Sequence, residues 1–115
     1  MDQLRASVRA GDSCIVVALA GEADANIGQS LRGLLESEVT KGTGRLIIDL
    51  AELRFLDSVG VHVLIDVRAV LRQRGGELIL LAPQPVVARV LNLVGADRLI
   101  PVYADLETAL AVASS

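Results

Sequence analysis

A chain of 115 residues is long enough to form one compact domain, burying about two-thirds of its unfolded surface around a single core. With 52% hydrophobic and only 2% aromatic residues, that core is built from Val, Leu, Ile and Ala, which suits helices packed on a sheet. A net charge of −3, with the 11 basic residues scattered along the chain, argues against a nucleic-acid binder, which needs clustered Lys and Arg for phosphates or aromatic platforms for single strands.

Leu4, Ala6 and Val8 alternate with Arg5, Ser7 and Arg9, and after Ala10-Gly11-Asp12 comes a β-rich apolar run over residues 13–20. This pattern predicts an antiparallel hairpin. Asp24-Ala25-Asn26 offers helix-capping groups, and Ile27, Leu31, Leu34 and Leu35 follow at helical spacing, with Arg32, Glu36 and Glu38 outward, until Lys41-Gly42-Thr43-Gly44 breaks the pattern. From Arg45 the rhythm is strand, loop, helix, repeated: a strand over 46–50, a helix over 59–74 ended by Gly75-Gly76, and a strand over 78–82. Pro85 is placed for the first turn of a helix over 86–94, which Gly95 ends. Residues 99–103 read as a last strand, and Asp105 caps a closing helix through Ala113. Right-handed crossovers put consecutive parallel strands side by side, so the expected fold is α/β, a mixed sheet of about five strands with four helices in one domain over residues 1–115.

Cys14 is the only cysteine and His62 the only histidine, which excludes an internal disulfide and leaves too few soft ligands for structural zinc. Within Cys14-Ile15-Val16-Val17 the thiol reads as buried and inert. The start, Met1-Asp2-Gln3-Leu4, lacks the charge and apolar stretch of a secretory leader. No uncharged apolar run approaches the roughly 18 residues of a membrane span. A cytoplasmic protein with no direct membrane insertion is expected.

The most specific segment is Arg54-Phe55-Leu56-Asp57-Ser58-Val59-Gly60-Val61, which follows Leu46-Ile47-Ile48-Asp49-Leu50 and opens the long helix. It resembles the signature of STAS domains, whose simplest members are bacterial anti-sigma-factor antagonists. In that family a strand ending in Asp-Leu is followed by Phe-hydrophobic-Asp-Ser-Ser/Thr-Gly-hydrophobic. Gly21-Glu22-Ala23-Asp24, Arg74-Gly75-Gly76-Glu77 and Val90-Leu91-Asn92-Leu93-Val94-Gly95 extend the resemblance over nearly the whole chain, in order. Each motif alone is weak, but four at family-like spacing make a strong combined signal. The resemblance implies a STAS-like sheet with its helices mainly on one face. It also implies an anti-sigma-factor antagonist that binds an anti-sigma factor of the serine-kinase type and so frees a sigma factor.

A helix N-terminus offers unpaired N–H groups and partial positive charge, a good place to hold a hydroxyl or phosphate. In the resembling proteins a kinase phosphorylates the residue just before the glycine, and the added charge disrupts docking. That slot here is Val59, which has no hydroxyl, so the usual phosphoacceptor is missing. Ser58, one residue earlier, is both a helix-capping group and a candidate phosphorylation site. Asp57 and Asp24 read as caps or turn formers and, by the resemblance, as parts of one docking face. The expected partner-binding residues are Asp24, Asp57, Ser58, Val59, Gly60, Val61 and His62.

No Gly-x-x-x-x-Gly-Lys-Ser/Thr loop or Gly-x-Gly-x-x-Gly turn is present, and no cofactor is expected. Ser58, His62 and Asp66 fall at i, i+4 and i+8, which suggests a catalytic triad. They would, however, climb a single helix in steps of about 6 Å instead of converging, and Asp66 with Arg68 reads as a solvated edge. No enzymatic activity is expected, and the chain should be a monomer or weak homodimer. A second client is compatible with the fold: STAS domains also serve as subunits or tails of membrane transporters, including lipid-transport ATPase assemblies. Fold alone does not choose between these clients.

Overall fold

In the computed structural model, residues 3–11, 14–23, 28–40 and 44–113 are described. The chain runs through β1 (Arg5–Ala10), β2 (Cys14–Ala23), α1 (Gly28–Thr40), β3 (Arg45–Leu56), α2 (Ser58–Gln73), β4 (Glu77–Leu81), α3 (Pro85–Val94), a 3-10 turn (Ala96–Arg98), β5 (Val102–Tyr103) and α4 (Leu106–Ala113). The five strands form one sheet in chain order, β1 antiparallel to β2 and the remaining neighbours parallel. This is the α/β arrangement the strand-helix alternation predicts.

Strand residues alternate between two cores, because successive side chains point to opposite faces. Val17 and Leu19 of β2, Leu46 and Ile48 of β3, and Leu78 and Leu80 of β4 meet α1, α2 and α3 on one face. Val16, Ile47, Ile79 and Leu81 meet Ala109, Leu106 and Leu110 of α4 on the other. Three helices therefore cover one face and a short fourth covers part of the opposite one. Each fully buried Leu or Ile of this kind stabilises by roughly 1.5–3 kcal/mol, and the scarcity of aromatics is made good by number.

Four local differences from the sequence reading have physical causes. Every residue of β1 is exposed, because β1 is the outer edge strand; only the preceding Leu4 packs against the core. Glu38, read as outward, is only 4% exposed. It lies at i+7 from Leu31 and i+3 from Leu35, on the stripe those leucines bury. The last strand is shortened to Val102–Tyr103, since Ala96 carbonyl accepts from both Leu99 and Ile100 N–H and folds that stretch into a turn. Cys14 is half-buried beside the α4-side core because it begins β2 at the end of the sheet. Elsewhere the capping signals hold: Pro85 starts α3, and Asp105 Oδ1 accepts from Thr108 N–H at 2.7 Å. That backbone hydrogen bond holds the Asp105 carboxyl below its ordinary value.

The feature that positions the site is the length of β3. After Leu50 its buried residues recur every third position, Leu50, Leu53 and Leu56, with Ala51, Glu52, Arg54 and Phe55 exposed between them. A period of three hides the strand from a period-two reading, which ends it at residue 50. The extra length sits in β3 itself, which runs from Asp49 to Glu52 while β2 advances from Ala18 to Ala20, and from Leu53 to Phe55 while β2 advances from Gly21 to Glu22. Gly21 takes φ 93°, a left-handed backbone that L side chains rarely adopt.

Candidate functional site

The extended β3 carries the chain to the C-terminal edge of the sheet, the side where α/β folds collect their binding sites. One residue then turns it into α2. Asp57 holds φ −93° and ψ 179° and is the N-cap: its Oδ1 accepts from Gly60 N–H at 3.0 Å. Its carbonyl accepts from Val61 N–H at 3.1 Å, and its own N–H donates to the Ala23 carbonyl at 3.3 Å. The turn is thus tied both to its own helix and to the end of β2. A Cβ at Gly60 would collide with Leu56 Cδ1 and lie 3.4 Å from Cγ, so only glycine fits without displacement.

Of the residues expected on the docking face, Ser58, Val59 and His62 are exposed, Val59 at 44%, and Asp57 is half-buried. Gly60 and Val61 are not on the surface. Both are buried, Val61 completely, because the cap turns the third and fourth helical residues onto the sheet. They shape the turn and cannot present side chains to a partner. Asp24 lies outside the described residues; its neighbour Ala23 ends β2 against Asp57.

Sequence reasoning left two surface features out of the site. Phe55, the only phenylalanine in the chain, is 39% exposed two residues before the cap, and its signal was that rarity. Glu22 and Arg54, at the ends of β2 and β3, approach to 3.6 Å beside it. Gln84, ahead of α3, donates its Nε2 to the Ala51 carbonyl at 2.8 Å, which fixes the start of α3 to the same strand.

The triad-like spacing resolves differently. Asp66 Oδ2 accepts from Arg32 Nη2 at 2.8 Å, so this carboxylate, exposed as expected, also bridges α2 to α1. Arg32 also approaches Glu36 at 3.7 Å, and the Asp66 hydrogen bond raises the Arg32 pKa further above its ordinary value. His62 stands exposed, without its orienting acid. Among the described residues no three His, Cys, Asp or Glu side chains gather as metal ligands, and no helix is long and apolar enough to cross a membrane. What the edge offers is a capped helix start, an exposed hydroxyl, an exposed methyl pair and an aromatic ring.

The STAS domain family model matches residues 5–109. The chain belongs to the STAS domain family. This STAS domain is 32% identical over 100 residues to BtrV of Bordetella bronchiseptica, a protein named as an anti-sigma factor antagonist, covering 87% of this chain and 86% of that one. It is 27% identical over 90 residues to the anti-sigma F factor antagonist of Paenibacillus polymyxa, 77% of each chain. The crystal structure of an anti-sigma factor antagonist from Mycobacterium paratuberculosis superposes with a TM-score of 0.89 at 29% identity, over 99% of this chain and 97% of that one. The STAS domain therefore shares its overall fold with a protein of that name.

Proposed function

We propose that this STAS domain is a cytoplasmic anti-sigma-factor antagonist, which binds an anti-sigma factor of the serine-kinase type and so frees a sigma factor without catalysing a reaction. The observation that carries the reading is the Asp57–Gly60 turn: a rigidly capped helix start, at the edge of the sheet, that exposes Ser58 and Val59 for contact. The docking face comprises Asp24, Asp57, Ser58, Val59 and His62, with Gly60 and Val61 shaping it from below. The relatives named as antagonists, at 32% and 27% identity, favour the sigma-factor client over a transporter client. Ser58 serves as a helix-start residue, and with Val59 in the acceptor slot the domain is competent to bind without being switched there.

Two variants test this face against the anti-sigma factor that co-purifies with the tagged protein. Val59→Lys keeps the cap and places a charge in the centre of the contact. Asp57→Lys also removes the cap, which costs about 0.5–2 kcal/mol of stability. Calorimetric titration is expected to show binding at least thirty-fold weaker for Val59→Lys, the size of a central contact residue. If both variants melt cooperatively and bind within about twofold of wild type, the face is elsewhere.

A further inference from the structure

At the far end of α2 a second surface carries features that docking at the Ser58 turn does not use. Arg68 and Arg72, one helical turn apart, line a cleft of about 80 Å³ together with Leu78, Leu99, Pro101 and Glu77. It adjoins a more open depression formed by Arg72, Gly75, Gly76 and Glu77. Neither guanidinium has a hydrogen-bond or ion-pair partner among the described residues. Arg72 sits in the last turn of the helix, where its charge complements the helix dipole. Arg68 is a turn further in and half-buried. Two like charges at i and i+4 with no counter-charge among the described residues are mutually unfavourable. Leu99, on the cleft wall, is 44% exposed. A cationic pair set beside an exposed apolar wall complements an acidic side chain carried next to an apolar one.

We propose that this cleft is a second docking site, for an acidic segment of a protein partner, with a carboxylate between Arg68 and Arg72 and its apolar neighbour on Leu99 and Pro101. Glu77 on the cleft and the net charge of −3 repel a long polyanion, which makes a single carboxylate the better fit than a nucleic acid or an anionic membrane. Ser58 and Arg72 are separated by about 20 Å along α2, so both surfaces can be covered at once. The inference does not depend on which protein covers the Ser58 turn.

The test is a titration of the ¹⁵N-labelled full chain with a short synthetic peptide carrying one glutamate next to one leucine in an otherwise uncharged sequence, followed by amide shifts at low and at moderate salt. Saturable shifts clustered at Arg68, Arg72, Glu77 and Leu99, weakening as salt screens the pair, are expected. The Arg68→Gln/Arg72→Gln variant should bind about tenfold more weakly. So should Leu99→Glu, which keeps both arginines, fills the cleft with its own carboxylate and alters only an exposed position. The proposal is overturned by any of three results: no saturable shifts, shifts centred on the Ser58 turn, or equal binding by folded variants. It is also overturned if duplex DNA or phosphatidylserine vesicles shift these amides more strongly than the peptide does.

Discussion

Incubated with ATP and the serine-kinase anti-sigma factor proposed as its partner, the wild-type domain is expected to stay unmodified, and the Val59→Ser variant to take up one phosphoryl group. The geometry at the start of α2 carries this. Ser58 and Val59 are both exposed, but consecutive helical residues point about 100° apart around the axis. The Asp57 carboxylate, bonded to Gly60 N–H at 3.0 Å, keeps the turn from rotating one into the place of the other. Phosphoryl transfer needs the accepting oxygen in line with the γ-phosphate, and a displacement of about 1 Å can cost a hundredfold in rate. Val59 offers only methyl groups, and a serine at that position supplies the oxygen where the family carries its acceptor. The phosphate would then add about two negative charges beside Asp57 and disrupt docking. Intact-mass measurement of wild type, Ser58→Ala and Val59→Ser checks this. Stoichiometric phosphate on wild type that disappears in Ser58→Ala would make Ser58 the switch.

Gly60→Ala is expected to destabilise the domain by about 1–3 kcal/mol, the usual cost of forcing an extra methyl into a packed site. The new Cβ would collide with Leu56 Cδ1. Leu56 is 1% exposed within the main core, so its side chain cannot swing into water to make room. The conflict is local and should be relieved by its partner: in Gly60→Ala/Leu56→Ala the two effects should sum to less than their separate costs. Urea unfolding of the three variants measures it. A Gly60→Ala protein within about 0.5 kcal/mol of wild type would show that the turn tolerates a side chain and that glycine there has another reason.

How much of this was legible in the sequence depended on which signal each element used. The helices with chemical punctuation were readable to within a residue or two: Pro85 and Gly95 bound α3, and Asp105 caps α4. The parallel order of β2 to β5 followed from the strand-helix alternation alone. What escaped was whatever departed from the simple periods. The second half of β3 buries every third residue, and it carries two extra residues relative to β2 that a period-two pattern does not reveal. Glu38 escaped because a carboxylate was assigned outward by type, when its position at i+7 from Leu31 places it on the buried stripe. At the site, the motif located the turn but could not separate the exposed residues from the buried ones. Whether Gly60 and Val61 face a partner or the core is decided by the cap geometry at Asp57, which turns them inward. The pairing of Asp66 with Arg32 is a contact between two helices 34 residues apart in sequence, and no local spacing reveals it.

The central claim, that this domain antagonises an anti-sigma factor, is tested most directly by transcription from a sigma-dependent promoter in a reconstituted reaction. The reaction contains core polymerase, the sigma factor and the anti-sigma factor that co-purifies with the protein. Added in increasing amounts, the wild-type domain should restore transcription to the level seen without the anti-sigma factor, and Val59→Lys should restore none at the same concentrations. Transcription that stays repressed at saturating wild-type domain, or recovers equally with Val59→Lys, would contradict the account.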